Sequence, residues 1–560
     1  MIITILASLV LASPAALQTV GGDWDSLGQV EGALMATDAI GGTLEVGPDL
    51  DGDGIPEFAV GSHGHLNAFG QQVGLLQLYS GKTGTILWEY EPLIPDSYPV
   101  TSGSLSFVSD LNGDGVADLL AGNLGFDGVK GKVVVLSGLD GSLIREHFGV
   151  VGTVQGAGEG LGAALLGLQD LDGDGFGDYL ISSHKSENPA GDRSVGRIDC
   201  WSGATGFLLW QSYGRNESDF FGRTLTFGPD TSGIGQRDIL TSTRENVNGV
   251  LDAGMVYTLS QPSGVILRSY PPATMEPLQG YGDALTTLPD LDGDSIDEII
   301  VGARYFDTPN KQGAGYVTML SSATGLPLWR TDGTVGHGSF GEDVMAVDDL
   351  NQDGYKDLLV YQPTLAQLDE PRVLVLNGRD GSILWEFKGE SQYTGFGISM
   401  GAFDRTGDGI PELLIGEPLY GFSFPGRVVA LTLDPFLRNR GSLSLSASAP
   451  SELRFQVDFP VSEAGKSFGI LASSTGNSST PLGGIDVPLT FDPFFQRSLQ
   501  SPPPNFRGSL NSEGDHQVRV RVPAGQLTNL IGTTLYFAAI SYSGTQASLS
   551  SVAVPIVVVP

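Results

Sequence analysis

Apolar residues along this chain fall in short runs bounded by glycine or polar loops. Runs such as Leu119-Leu120-Ala121, Ile299-Ile300-Val301 and Leu413-Leu414-Ile415 are too short for helices. They predict strands, and the pieces around them recur in a fixed order. A glycine and an apolar stretch come first, as at Phe221-Gly222, Tyr281-Gly282 and Phe340-Gly341. An acidic cluster follows, then the short run, then a third apolar segment at 133–136, 373–376 or 428–431. A tight turn at Thr83-Gly84, Asp140-Gly141 or Asp380-Gly381 leads to a fourth, such as Ile86-Leu87-Trp88 or Ile383-Leu384-Trp385.

The clusters begin at Asp49, Asp110, Asp170, Asp230, Asp290, Asp349 and Asp404, so successive starts lie 61, 60, 60, 60, 59 and 55 residues apart. Seven units of four antiparallel strands predict an all-β fold, a seven-bladed β-propeller over residues 17–437 whose blades close into a ring and protect their edges. The seventh unit lacks a fourth strand before residue 437, so residues 18–35, carrying Trp24, are expected to pair with it and close the ring. Beyond residue 441 the clusters stop. Period-two alternation, as in Leu453-Arg454-Phe455-Gln456-Val457 and Val518-Arg519-Val520-Arg521-Val522, predicts a small C-terminal β-sandwich over 441–560 that serves as an attachment or spacer module.

Composition narrows the partners. Lys and Arg number 29 against 64 Asp and Glu, a net charge of −35, and so acidic a surface repels phosphate backbones and anionic headgroups. Nucleic acid is excluded as a partner. Cys200 is the single cysteine, which rules out an intrachain disulfide and a cysteine-based zinc or iron–sulfur site, leaving a buried free thiol. Residues 2–12 form an apolar run followed by Ser13-Pro14-Ala15, the pattern of a secretory signal peptide over 1–16, although no Lys or Arg precedes the run. No other segment is long and apolar enough to span a membrane. The expected location is secreted, extracellular or on the cell surface, with a bacterial envelope favoured by the near absence of cysteine.

The acidic clusters carry the chemistry. Calcium takes six or more oxygen ligands, and Asp-x-Asp-x-Asp-Gly offers carboxylates at alternate positions while glycine lets the chain fold back around the ion. Positions one, three, five and nine, with the carbonyl of position seven, are Asp49, Asp51, Asp53, Glu57 and Ile55 in the first loop. They are Asp110, Asn112, Asp114, Asp118 and Val116 in the second, and Asp170, Asp172, Asp174, Asp178 and Phe176 in the third. The fifth offers Asp290, Asp292, Asp294, Glu298 and Ile296, and the sixth Asp349, Asn351, Asp353, Asp357 and Tyr355. The seventh offers Asp404, Thr406, Asp408, Glu412 and Ile410. The fourth has Ile234 at position five and Arg237 close by, so it is expected to bind nothing. Ser295 replaces the usual glycine in loop five and Gln352 stands at position four of loop six, which makes both less adapted. The expectation is about six Ca2+ sites; crowded carboxylates repel without a cation.

An EF-hand begins in the same way but needs a bidentate carboxylate at position twelve and flanking helices. Here position twelve is Val60, Ala121, Ile181, Val301, Val360 or Ile415. With Phe-Gly ahead of the cluster and Asp-x-Asp-x-Asp-Gly-x-x-Asp inside it, the region 36–435 resembles FG-GAP repeats, the units of the integrin α-subunit amino-terminal propeller. The resemblance implies a seven-bladed propeller with calcium in loops on one face. The chain departs from it in unit four, and the Gly-Ala-Pro after the second strand survives only as Val60-Gly61-Ser62 or Val301-Gly302-Ala303.

Strand alternation puts the acidic loops on the same face as the Thr-Gly turns and the longer loops opposite, where a protein or glycan ligand is expected. Candidates there are Tyr98, His184, Tyr213, Tyr305, Phe306, His337, Tyr361, Tyr420 and Phe422, against ordinary loop packing for each. Trp88, Trp210, Trp329 and Trp385 share one position in four units and are assigned to packing between blades. Gly397-Ile398-Ser399-Met400-Gly401 matches a hydrolase nucleophile elbow but aligns with a first strand. Thr-Gly-x-x-x-Trp resembles quinoprotein dehydrogenase blades without their cysteine pair. The leading reading is a non-enzymatic adhesion or recognition module; the alternative is a carbohydrate-binding or polysaccharide-hydrolysing envelope protein.

Overall fold

The structure is a computed structural model that describes residues 17–18, 23–31 and 39–560, except 93–103, 125–129, 151–157, 364–369 and shorter gaps that include 407–408 and 422–424. The apolar leader at 1–16, Tyr98, Asp408 and Phe422 therefore lie outside the described residues.

The chain is all-β, built of four-stranded antiparallel sheets of the kind that form propeller blades. The first unit runs Ile40–Val46, Phe58–Ser62, Leu75–Tyr79 and Ile86–Tyr90 as a simple meander. The same order recurs from Leu105–Val108 to Leu143–Phe148, from Leu161–Gly167 to Leu208–Tyr213, and from Leu225–Phe227 to Ile266–Tyr270. It continues from Tyr281–Leu288 to Pro327–Asp332 and from Asp343–Val347 to Ile383–Lys388, where Leu17–Gln18 adds a fifth strand. The seventh unit contributes Met400–Phe403, Glu412–Glu417 and Arg427–Asp434, and Asp23–Glu31 runs antiparallel along Arg427–Asp434 as its fourth strand.

Second strands such as Phe58–Ser62, Asp118–Asn123 and Glu298–Ala303 are buried at every position. They are covered on both faces by neighbouring sheets, which is why their sequences read as continuous apolar runs rather than alternations. The recurring glycines set how close those sheets come. A Cβ on Gly122 of unit two would stand 2.5 Å from the carbonyl oxygen of Gly162 in unit three; Gly302 meets Gly341, and Gly416 meets Gly41, at 2.2 and 2.3 Å. The last of these pairs joins unit seven to unit one. Beside it, the buried Ser399 hydroxyl donates to Gly41 O at 2.8 Å, so the serine of the elbow-like pentapeptide makes a packing contact. Trp88, Trp210 and Trp329 reach the next unit's hairpin, their indole N–H donating to Gly138 O, Gln261 O and Gly378 O at 2.8–2.9 Å. Trp385 is fully buried in a cluster that includes Val552 from the C-terminal region.

First strands bring charges together as well. Burial pushes the Glu45 carboxyl in unit one up to about 8, and the Asp343 carboxylate of unit six adds to the effect. A carboxyl raised in the folded state favours folding fully below its unfolded value of 4.5, and that contribution is lost as pH climbs through about 8. Glu45→Gln is therefore expected to match the parent near pH 4 and to exceed it by roughly 2 kcal/mol near pH 9, after allowance for solvent reaching the group. Denaturant titrations at both pH values check this; equal midpoints at the alkaline one would show that Glu45 is not held protonated.

The C-terminal region has a three-stranded sheet, Leu437–Asn439, Ser451–Asp458 and Asp515–Val522, and a six-stranded one centred on Thr534–Ser543 and Ser467–Ser473. Phe455, Val457, Phe468, Val518 and Phe537 belong to the cluster between them. Two features depart from a plain sandwich. Ser444–Ser446 pairs parallel to Val554–Val559, and an eight-residue helix, Pro493–Gln500, begins where Asp492 accepts from Phe495 N with proline at the first position.

Candidate metal centres

The acidic loops are held first by their own backbone. In loop one Asp49 Oδ1 accepts from Gly52 N at 2.8 Å and Asp53 N at 3.1 Å, and Oδ2 from Gly54 N at 2.9 Å. Asp51 accepts from Asp53 N and Asp53 from Ile55 N, each at 3.0 Å. The ladder repeats with Asp110 on Gly113 and Gly115, Asp170 on Gly173 and Gly175, and Asp290 on Gly293 and Ser295. Val116, Phe176, Ile296 and Tyr355 donate to position five as Ile55 does. Donation by these N–H groups, Gly175 and Ser295 foremost, holds the Asp170 and Asp290 carboxyls below their ordinary range. Ser295 takes φ +70° where the other loops use glycine.

Position nine anchors the loop to the sheet. Glu57, Asp118, Asp178, Glu298, Asp357 and Glu412 are all buried. Each accepts from the N–H at position two: Leu50, Leu111, Leu171, Leu291, Leu350 or Arg405. Asp118, Asp178, Glu298 and Asp357 also accept from the hairpin beyond strand three, at Gly138, Gly203, Ser322 and Gly378. Burial raises the Asp118 carboxyl to about 6, with Asp114 and Asp110 adding to it. Glu57, Asp178, Glu298 and Asp357 are raised for the same first reason. Asp238 of loop four is buried and accepts from Thr231 in the same way, so position nine serves the fold even where the other carboxylates are missing.

The loops differ in what they gather. In loop one an oxygen from each of Asp49, Asp51, Asp53 and Glu57 lies within 4.8 Å of all the others. Asp170, Asp172 and Asp178 converge likewise in loop three, without Asp174, and Asp290, Asp292 and Asp294 in loop five, without Glu298. Loops two, six and seven form no such carboxylate group among the described residues. In loops two and six the Asn112 and Asn351 amides donate to Asp114 and Asp353 instead. In loop seven Asp404 accepts from Gly409 N and Glu412 from Thr432, while Thr406 is exposed. Loop four keeps the backbone ladder, Asp230 accepting from Gly233 and Gly235, while Arg237 turns away to Gly228 O.

A divalent cation fits the donors of loop one. Glu57 Oε1 is buried with no hydrogen-bond partner beside three carboxylates, an arrangement that costs several kcal/mol unless a cation completes it. One set of neighbours escaped the sequence reading. Ser137, Ser202 and Asn377 donate to the position-five carboxylates Asp114, Asp174 and Asp353. Their signal was the Ser/Asn-Gly pair recurring ahead of the Thr-Gly or Asp-Gly turn in units one, two, three and six.

On the opposite loops a cavity of about 740 Å³ is lined by Arg244, Asp252, Glu276, Tyr305, Asp307 and His337, among others. Tyr305 and His337 are thus brought together; His184, Tyr213 and Tyr420 are not among its lining residues. Phe306 and Tyr361, expected at loop tips, are core residues only 4% exposed, because each sits where a strand or its following turn meets a neighbouring sheet. Phe306 packs edge-on against Tyr316.

The FG-GAP repeat family matches residues 102–136 and 281–318. Integrin alpha-8 of Mus musculus is 28% identical over 185 residues, covering 30% of this chain and 17% of the relative. Integrin alpha-5 of Xenopus laevis is 25% identical over 192 residues, 31% of this chain and 18% of the relative. Integrin alpha-PS2 of Drosophila melanogaster is 34% identical over 161 residues, 26% of this chain and 11% of the relative. The chain carries FG-GAP repeats and is integrin-α-like over that share, and it spans less than a fifth of the length of these relatives.

Proposed function

We propose that this FG-GAP-repeat chain is a secreted or cell-surface, calcium-stabilised seven-bladed propeller that acts as a non-enzymatic adhesion or recognition module. Asp23–Glu31 closes the ring by completing the seventh unit, and residues 441–560 form an appended sandwich-like domain. The observation that carries the reading is the loop-one group, in which four carboxylates converge around a buried oxygen with no partner. Calcium is held there by Asp49, Asp51, Asp53 and Glu57 with the Ile55 carbonyl, and by the equivalent residues of loops two, three, five, six and seven. It supplies charge neutralisation and ties each loop to its sheet. The cavity holding Tyr305 and His337 supports recognition on the face away from the metal loops. No helix of the described residues is long and apolar enough to cross a membrane.

Metal analysis after equilibrium dialysis is expected to find about six calcium ions per chain. Asp172→Ala removes one ion and lowers stability by about 2 kcal/mol or more, whereas Asp230→Ala leaves the stoichiometry unchanged and costs less. Equal effects of the two substitutions, or no bound calcium, would defeat the assignment.

A further inference from the structure

The charge of this chain is unevenly placed. Residues 441–560 hold six Lys or Arg and seven Asp or Glu, against 29 and 64 in the whole chain, so nearly all the negative charge lies in the repeats. Within this nearly neutral region three of the five arginines lie on one sheet. Ser451–Asp458 and Asp515–Val522 pair antiparallel with Glu452 opposite Arg521, Arg454 opposite Arg519 and Gln456 opposite Gln517. Leu453, Phe455 and Val518, the alternate positions, are buried in the core, so these pairs share the outward face. Arg440 N donates to Arg454 O, which sets a fourth arginine beside the pair. Arg440, Arg454, Arg519 and Arg521 are all exposed.

Two arginines directly opposite each other repel and weaken the sheet that carries them. Relief is slight. Glu452 pairs with Arg454 at 2.6 Å, and this carboxyl serves several guanidinium groups, Arg454 first, which hold it below its ordinary range. The next acids along the ladder, Asp458 and Asp515, face each other four positions further on, about 13 Å from the arginine pair.

We propose that this face binds an anionic polysaccharide. Guanidinium forks at cross-strand spacing match carboxylate or sulfate groups repeating along an extended chain, and the adjoining Gln456 and Gln517 amides suit its hydroxyls. Among the described residues the outward positions of this ladder carry no aromatic ring for stacking bases and no apolar side chain to enter a bilayer, so nucleic acid and lipid are poorer fits. A second copy of the chain carries the same −35 charge and is repelled at long range. The acidic repeats keep a polyanion away from the rest of the molecule, which leaves this sheet as its one point of attachment.

The test uses the full chain with polygalacturonate as probe, in calcium and again in chelator, with binding followed by a mobility or interferometry assay. Wild type is expected to bind in both buffers, more weakly as salt rises, and not to bind neutral dextran. Arg454→Gln, Arg519→Gln and Arg521→Gln each weaken binding by about tenfold, Arg519→Lys less, and the exposed Arg497→Gln not at all. Unchanged melting of the three glutamine variants excludes misfolding as the cause. No binding by wild type, equal loss with Arg497→Gln, or tighter binding to DNA or anionic vesicles would overturn the proposal. Binding that vanishes in chelator while the arginine variants bind normally would instead place the polyanion on the calcium loops, which also overturns it and leaves the calcium reading intact.

Discussion

Chelating calcium from the full chain is expected to lower its melting temperature by at least about 10 °C, with little change in strand content at room temperature. The size follows from linkage, since a loop held at a thousandfold excess over its dissociation constant gains about 4 kcal/mol, and several loops gain it together. The reason for a shift rather than outright unfolding lies in loop four. Asp230 and Asp238 there keep the hydrogen bonds of the other loops although Ile234 replaces the position-five carboxylate, so the backbone ladder forms without a full ligand set. On the proposed reading calcium would add relief of repulsion, greatest in loop one, where four carboxylates meet around the unpartnered Glu57 Oε1. Magnesium is expected to restore less of the loss, because it demands smaller, near-octahedral coordination. Thermal melts with calcium, chelator and magnesium check the claim; identical midpoints in all three would mean that the loops are hydrogen-bonded turns and nothing more.

The loops were legible in the sequence because their chemistry is local. Alternate carboxylates closed by a glycine fix both the fold-back and the donor set within nine residues, and a repeat near 60 residues multiplies the signal. The strand order followed for the same reason. Differences between loops were harder to see, since they turn on long-range partners. Asp174 and Glu298, which stay out of their groups, are bonded by Ser202 and Ser322 from hairpins more than twenty residues away. Phe306 and Tyr361, weighed against ordinary packing, were placed at loop tips because an aromatic beside a loop looks alike whether it faces solvent or a neighbouring sheet. The arginine face needed strand register, which alternation alone does not supply: Arg454 and Arg519 are 65 residues apart and meet only through the ladder. The helix at Pro493–Gln500 did have a local signal, Asp492 before Pro493, set within a strand-rich stretch that masked it.

Gly203→Ala is expected to cost about 3 kcal/mol and to weaken calcium binding in loop three. A Cβ at this position would stand 1.8 Å from Gly177 O, the carbonyl at position eight of the loop, and 2.5 Å from a Leu111 methyl. The first is backbone and the second belongs to a buried side chain, so the hairpin itself has to move. It carries the N–H that Asp178 Oδ1 accepts at 3.0 Å and the Ser202 hydroxyl bonded to Asp174, so moving it loosens two proposed ligands together. A Cβ on Gly81, Gly138 or Gly378 would likewise stand 1.9, 1.8 or 2.0 Å from the equivalent carbonyl in units one, two and six. Unit five shows how a side chain is accommodated. Ser322 replaces the glycine, its hydroxyl donates to Asp297 O, and Glu298, one methylene longer than Asp178, still accepts from Ser322 N at 3.2 Å. Gly203→Ser combined with Asp178→Glu should therefore recover part of the stability that Gly203→Ala loses, and Gly203→Ser alone should recover less. Melting curves and calcium titrations of the three variants distinguish a hairpin pressed onto its loop from one that merely lies beside it, for which all three would melt like the parent.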